Sequence, residues 1–396
     1  MRGPARPDRE KPQVEVADIL RDHAASLKLN LDQTRAVRAL LACRTAALGG
    51  HLEVCDRCGY SRPAYNSCRN RHCPKCQFLN QELWAEAQEA KLLPSPYFHL
   101  VFTVPAFLHP FFRRAPRTCL GLLFEAVSET LTEVAWRKLQ ADIGFFAVLH
   151  TWTQKLLFHP HLHCVVPGGG LKLPASEWIG CGKRFFLPVR ALRIVFRGKL
   201  LSKLEKALAE GAIPLPQGAG RLLLQKASRV TWVLYAKAPL AGPHQVVRYV
   251  SRYTKRIAIS NSRLVAYDGK KVTFLWRDRA HKNRRSRLSL SGPDFARRFL
   301  QHVLPKRFVR IRHYGFLSNR RTQDLEQCQR LLHAGEIVLS SFQKEPLEDW
   351  VESFKRIFGW DPLICPTCGD GRLITRLAIP SQAESSPSRS PPGFPT

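Results

Sequence analysis

Acidic side chains are scarce in this 396-residue chain: 31 Asp and Glu stand against 62 Lys and Arg, leaving a formal charge of +31 at pH 7. A field of that sign attracts polyanions and makes nucleic acid the leading partner. The same scarcity weighs against a nuclease that holds two metals on three carboxylates, and no Asp-x-Asp motif stands out. Long apolar runs are missing too. No stretch of eighteen apolar residues occurs, and Pro94, Pro96, Pro105 and Pro110 interrupt the most apolar region, so no membrane span is expected. The first ten residues lack the apolar core of a secretory signal, which makes the cytoplasm the expected location. No internal repeat is visible.

Cysteine, by contrast, is plentiful, and six of the twelve fall between Cys43 and Cys76. In a reducing compartment such clustering reads as metal binding rather than disulfides. Cys55-Asp-Arg-Cys58 and Cys73-Pro-Lys-Cys76 are two CxxC knuckles fourteen residues apart, and thiolates so spaced can close a tetrahedron on Zn²⁺. Cys43, His51, Cys68 and His72 lie in the same segment. Eight ligands would suffice for two zinc ions; one zinc, with the other four as packing or surface residues, is the preferred count. The role is structural, because an all-protein shell leaves no open position. Arg69, Arg71 and Lys75 near the knuckles are candidate phosphate contacts, with a solvated basic face as the alternative. A third knuckle, Cys365-Pro-Thr-Cys368, has no visible partner pair; it is either a degenerate ribbon or borrows ligands from elsewhere.

Hydropathy patterning places helices over 16–43, 78–93, 119–140, 192–210, 295–303 and 323–334, and strands over 97–104, 145–152, 162–166 and 230–236. Gly168-Gly169-Gly170 reads as a sharp break. Residues 263–276 read as a hairpin turning at Asp268-Gly269.

His161 and His163 alternate in an apolar strand, so they share one face and can grip one divalent ion. His159 joins that face only if the strand begins before Pro160. Proline argues that it begins after, which leaves His150, in the preceding strand, as the better third ligand. Tyr249 and Tyr253 stand at i and i+4 in a segment that reads as a helix, flanked by Arg252 and Arg256; a stripe of core aromatics is the alternative reading. Arg277, Arg279, Lys282, Arg284, Arg285 and Arg287 put six cations into eleven residues, a candidate track for a nucleic-acid backbone. Trp152, Trp232, Tyr235 and Trp276 could stack on bases, although core packing is the commoner fate of such residues.

The motifs Asn66-Ser-Cys-Arg-Asn-Arg-His-Cys-Pro-Lys-Cys-Gln77, His159-Pro-His-Leu-His-Cys-Val-Val-Pro-Gly-Gly-Gly170 and Arg252-Tyr-Thr-Lys-Arg-Ile-Ala-Ile-Ser-Asn-Ser-Arg263 resemble the two-tyrosine HUH transposases of rolling-circle insertion sequences. The resemblance runs in matching order from about residue 17 to 325. It implies an α+β fold with a central antiparallel sheet, preceded by a small helical zinc-binding domain. It implies Mg²⁺ or Mn²⁺ on His161 and His163, with a further histidine supporting His150, and nucleophiles at Tyr249 and Tyr253. Many replication-initiator relatives carry a lysine three residues after the tyrosine, where this chain has Arg252 and Arg256. The implied partners are single-stranded or hairpin DNA at element ends and target DNA. The expected domains are a polar, Pro-rich disordered lead over 1–15, a zinc-binding DNA-contact domain over 16–93, a catalytic domain over 94–335, a helix and knuckle over 336–380, and a Ser- and Pro-rich disordered tail over 381–396. A replication initiator or relaxase of the same chemistry is one competing reading. A non-catalytic zinc-finger protein is another, but it leaves the histidine strand without a role.

Overall fold

The computed structural model describes residues 14–89, 91–172, 174, 177–181, 187–237, 258–278, 281, 284–332 and 350–382. The fold is α+β, with antiparallel sheets throughout. Two compact units form, each from separated stretches of chain: Met1–Leu83 with Ile259–Arg297 and Phe342–Thr396, and Trp84–Ala258 with Arg298–Ser341.

In the first unit, α1 (Val16–His23) and α2 (Leu31–Ala42) replace the single expected helix. Asn30 caps α2 by accepting from the Gln33 backbone N–H, and the Gln33 side chain reciprocates, so the break is a capping box. Strands β1 (Gly50–Cys55) and β2 (Ser61–Tyr65) pair antiparallel, and the strand over Leu373–Ile379 pairs with the other edge of β1. Elsewhere in this unit a three-stranded sheet contains the expected hairpin and one strand more, Arg284–Ser291. Asp268 Oδ1 accepts from the Lys270 and Lys271 backbone N–H groups, and Gly269 takes a φ of +87°.

The second unit is built on β3 (Tyr97–Thr103), β4 (Phe145–Trp152) and β5 (Phe158–Pro167), with β5 between β4 and β3, the strand Ile311–Tyr314 on the outer edge of β4 and the strand Leu234–Lys237 on the outer edge of β3. Phe98, Leu100 and Phe102 of β3, and Leu162, Cys164 and Val166 of β5, enter one core with residues of the helices Pro116–Leu139, Val189–Ala209 and Gln217–Arg229. The last of these helices was not among those expected. Its first turn holds Gly218 and Gly220 just after Pro216, which weakens the helical signal. Trp232 is fully buried in that core, and its Nε1–H donates to the Ala227 carbonyl, which excludes base stacking.

Two local expectations need correction. Gly169 and Gly170 do not break the chain but open a strand, Gly169–Lys172, that pairs with Glu177–Gly180. A Cβ on Gly169 would lie 2.5 Å from the Trp178 ring, so the glycine permits the pairing. Strand β5 also begins before Pro160, not after it. His150 faces His161 and Trp152 faces Phe158, so Thr151 alone stands opposite His159 and Pro160. Proline occupies the bulge, where no ladder N–H is required.

Candidate metal centres

The face of the β3-β4-β5 sheet turned away from the large core changes character along its strands. Phe146, Val148 and Val165 pack with Leu171, Phe316 and Leu325 in a second apolar cluster. Two residues further along, the same faces carry His150 and His163. His150 and His161 are direct antiparallel partners, a placement that puts their side chains on one face. The three imidazoles of His150, His161 and His163 meet with ring centroids 4.5–5.5 Å apart. Each offers a nitrogen within 4.8 Å of the others, which makes the group able to hold one metal ion. His150 is buried, whereas His161 and His163 are half-buried.

One hydrogen bond fixes the tautomer of His161, and a second bears on that of His163. His161 Nδ1 lies 2.7 Å from the His159 carbonyl oxygen. A carbonyl only accepts, so Nδ1 carries the proton and Nε2 is the nitrogen able to ligate an ion. His163 Nδ1 lies 2.8 Å from His99 Nε2, with the two rings stacked. When His163 Nδ1–H donates to His99, Nε2 of His163 ligates as well. His99 sits buried on β3 and was missed in the sequence, where a lone histidine in an apolar strand carries no signal. His159 stays out of the trio; its ring packs edge-on to His109, 5.8 Å away. Partners that orient a ligating histidine typically contribute ~10–100-fold to metal affinity. His99→Ala should therefore weaken Mn²⁺ binding by about that factor in calorimetry, and His99→Glu, which still accepts from His163, should restore most of it.

Behind the trio, Trp152 stacks on His150 at 4.7 Å. His302 holds the end of β4 and the loop after it. Its Nδ1 is 3.2 Å from the Thr151 hydroxyl, and its Nε2 is 3.2 Å from the Leu156 carbonyl. Burial pushes the His302 imidazole down to about 3, so it is neutral and structural.

The cysteines of the first unit group differently from the expected pairing of Cys55-Cys58 with Cys73-Cys76. Cys43, Cys68, Cys73 and Cys76 converge in one set, and Cys55, Cys58, Cys365 and Cys368 in another. The reason is topological: β1 carries the Cys55 knuckle to the strand that follows Cys368, and Cys43 at the end of α2 meets the Cys68 loop. Backbone N–H groups of Cys68, Asn70 and Lys75 point at the sulfurs of Cys43, Cys68 and Cys73. Cys68 and Cys76 Sγ are 3.8 Å apart. A zinc tetrahedron with Zn–S near 2.3 Å has edges of about 3.8 Å, so the set fits one Zn²⁺. His51 and His72 belong to neither set; His51 Nε2 is 3.2 Å from Glu53 Oε1.

Tyr249, Arg252, Tyr253 and Arg256 lie outside the described residues, as do Arg279 and Lys282. Arg277, Arg284, Arg285 and Arg287 are exposed on the Arg-rich strand pair. Of the knuckle cations, Arg69 is exposed, Arg71 is half-buried, and Lys75 is paired with Glu15.

Residues 16–104 match a transposase zinc-binding domain, Zn_Tnp_IS91, and residues 144–324 match the family Y2_Tnp, described as "Putative transposase". The chain is 46% identical over 377 residues to "Putative transposase y4qJ" of Sinorhizobium fredii, covering 91% of this chain and 94% of that one. It is 31% identical to the transposase for insertion sequence element IS801 of Pseudomonas savastanoi pv. phaseolicola, covering 88% and 84%. The chain belongs to the IS91 family of transposases. Among solved structures, conjugative relaxase TrwC in complex with oriT DNA aligns at 12% identity and a TM-score of 0.22, over 40% of this transposase and 71% of that chain. Among the described residues of the transposase, no helix is long and apolar enough to cross a membrane.

Proposed function

We propose that this transposase nicks and rejoins single-stranded DNA at the ends of its element, through 5′-phosphotyrosine intermediates, in rolling-circle transposition. The observation that carries this reading is the convergence of His150, His161 and His163 on adjacent strands. Three protein ligands leave positions for phosphate oxygens, unlike a closed four-thiol set. The fit to a divalent ion rests on the donor chemistry: His161 has its proton placed on Nδ1 by the His159 carbonyl, and His163 can do the same by donating to His99. Of Mg²⁺ and Mn²⁺, an all-imidazole set favours Mn²⁺, since Mg²⁺ prefers oxygen. When bound, the ion supplies a Lewis acid to the scissile phosphate.

The remaining work falls to side chains. A hydroxyl of Tyr249 or Tyr253 attacks in line. The Oη–P bond forms as the P–O3′ bond breaks, the tyrosine gives up its proton, and the departing 3′ oxygen gains one. The covalent bond conserves the phosphodiester's energy, so rejoining needs no nucleotide cofactor. Free phenol ionises near pH ~10, and Arg252 and Arg256 favour the phenolate by charge. Their guanidinium groups cannot serve as proton carriers. Two tyrosines allow two strand transfers.

DNA binding draws on the Arg-rich strands. Arg277 stands directly opposite Arg285, a like-charge pairing that disfavours the bare sheet and that a phosphate chain relieves. Arg287 shares that face, and Arg69 adds an exposed cation beside the Cys68 knuckle loop.

The test is incubation with 3′-labelled single-stranded element-end DNA and Mn²⁺, followed by denaturation. A covalent protein–DNA adduct is expected, and the Tyr249→Phe/Tyr253→Phe double variant should form none. A folded, metal-loaded wild type that gives no adduct overturns the reading.

A further inference from the structure

The zinc-binding domain matched in this family ends at residue 104, yet Cys55 and Cys58 face two thiols from the far end of the chain. We infer that Cys55, Cys58, Cys365 and Cys368 form a second structural Zn²⁺ centre, a clasp that ties the C-terminal stretch to the N-terminal ribbon.

The two knuckles are near-copies of each other. Cys55-Asp-Arg-Cys58-Gly59 and Cys365-Pro-Thr-Cys368-Gly369 share the CxxCG pattern. In both, the glycine is left-handed, at φ of +70° and +72°, and its N–H donates to the carbonyl of the first cysteine, at 3.3 and 3.0 Å. In both, the N–H two residues after the first cysteine points at its sulfur: Arg57 N to Cys55 Sγ at 3.5 Å and Thr367 N to Cys365 Sγ at 3.4 Å. Gly371 N adds a further donor to Cys368 Sγ at 3.3 Å. Backbone donors aimed at three of the four converging sulfurs suit thiolates, the form that binds metal.

The spacing discriminates between a metal centre and disulfides. Cys55–Cys368 and Cys58–Cys365 Sγ distances are both 3.7 Å. A disulfide requires ~2.05 Å, whereas the edge of a ZnS₄ tetrahedron is about 3.8 Å. Softness favours Zn²⁺ over Mg²⁺ or Ca²⁺ at four thiolates. The scaffold brings the halves together independently of the sulfurs. The strand over Leu373–Ile379 pairs with β1 so that Leu373 faces Cys55, and Asp56 accepts from the Arg372 N–H. Gly371 is what allows the close approach: a Cβ there would lie 2.3 Å from Cys55 Sγ.

Alkylation of the full-length chain tests the clasp. Cys58 and Cys368 are exposed, so without metal they are accessible to an alkylating agent. The protein is purified with zinc and reductant in a His161→Ala/His163→Ala background, so that the imidazole site adds nothing to the count. It is then pulsed with iodoacetamide and mapped by mass spectrometry. The expected result is two zinc ions per chain, with all four clasp cysteines protected and released together by chelator. In the Cys365→Ser/Cys368→Ser variant one zinc should remain, Cys55 and Cys58 should become reactive, and Cys43, Cys68, Cys73 and Cys76 should stay protected. Rapid alkylation of Cys58 and Cys368 in the zinc-replete parent overturns the proposal. So does a zinc count that the serine variant leaves unchanged, or a Cys55–Cys368 disulfide under reducing conditions. Because the pattern in the parent with its four clasp cysteines intact already decides the matter, a serine variant that misfolds does not blunt the test. The readout is independent of strand transfer, so failure here leaves the proposed function standing.

Discussion

Replacing His161 and His163 with alanine is expected to lower strand cleavage by about a thousandfold or more and to abolish Mn²⁺ binding in calorimetry, with the fold unchanged. Lewis-acid stabilisation at phosphate is worth several kcal/mol, and each ~1.4 kcal/mol is tenfold in rate. The fold should survive because both side chains are half-buried and polar, on a face whose apolar part, Phe146, Val148 and Val165, lies elsewhere. The core against the helices is supplied by the alternate residues Leu162 and Cys164, which the substitutions leave in place. A double variant with normal circular dichroism and near wild-type cleavage would sink the catalytic role of the trio. His159→Ala should behave differently. The carbonyl that orients His161 belongs to the backbone, so cleavage should fall by less than about tenfold.

Much of this centre was legible because the information is local. A strand has a side-chain period of two, so His161 and His163 had to share a face wherever the sheet lay. The neighbouring strand, ten residues back, could reach them only by antiparallel pairing, and that brought in His150. The argument from Pro160 failed in its premise, since β5 starts at Phe158. His159 is nonetheless outside the trio, because the bulge opposite Thr151 changes how that end of the strand is presented. His99 was illegible: its role depends on β3 lying beside β5 with Val101 opposite His163, a register that no pattern in β3 announces.

The cysteines show where spacing stops being informative. A CxxC motif specifies half a site, and which half it meets is decided by the fold. Pairing the two nearest knuckles was the economical choice. The β1 pairing with Leu373–Ile379, more than three hundred residues away, overrode it. The strand over Arg284–Ser291 was hidden for another reason. Its alternate residues Ser286, Leu288 and Leu290 are half-buried while the arginines are exposed, a regular two-residue pattern masked by the charge run.

Disruption of the first thiol set should have the largest effect on stability. In Cys68→Ser/Cys76→Ser, one zinc per chain is lost, and the region from Cys43 to Gln77 should become cleavable by protease under conditions where the wild type resists. Structural zinc binding is worth about 10 kcal/mol or more at neutral pH, comparable to the whole stability of a typical domain at ~5–15 kcal/mol. Outside the β1 ribbon and the Cys55 knuckle, little else holds this stretch. It has short strands and turns, and left-handed backbone at Arg44 and Arg69 directly after two of the ligands, conformations that cost of order 1 kcal/mol each and must be held by something. The sulfurs themselves need the cation. The neighbouring Cys43, Cys68 and Cys73 thiols push Cys76 far below the ordinary thiol range, while Cys43 first, then Cys68 and Cys76, push Cys73 far above it. Without a divalent ion the set carries few negative charges; with one, all four can ionise. Acid should therefore act in the same direction as the serines, since protons compete with zinc for the sulfurs. A contrasting control is Cys119→Ser, at a buried thiol with its Sγ 3.3 Å from the Phe111 carbonyl. It should cost no more than about 1–3 kcal/mol and leave the zinc count intact. If Cys68→Ser/Cys76→Ser keeps its zinc and its protease resistance, the four-thiol assignment of Cys43, Cys68, Cys73 and Cys76 is wrong.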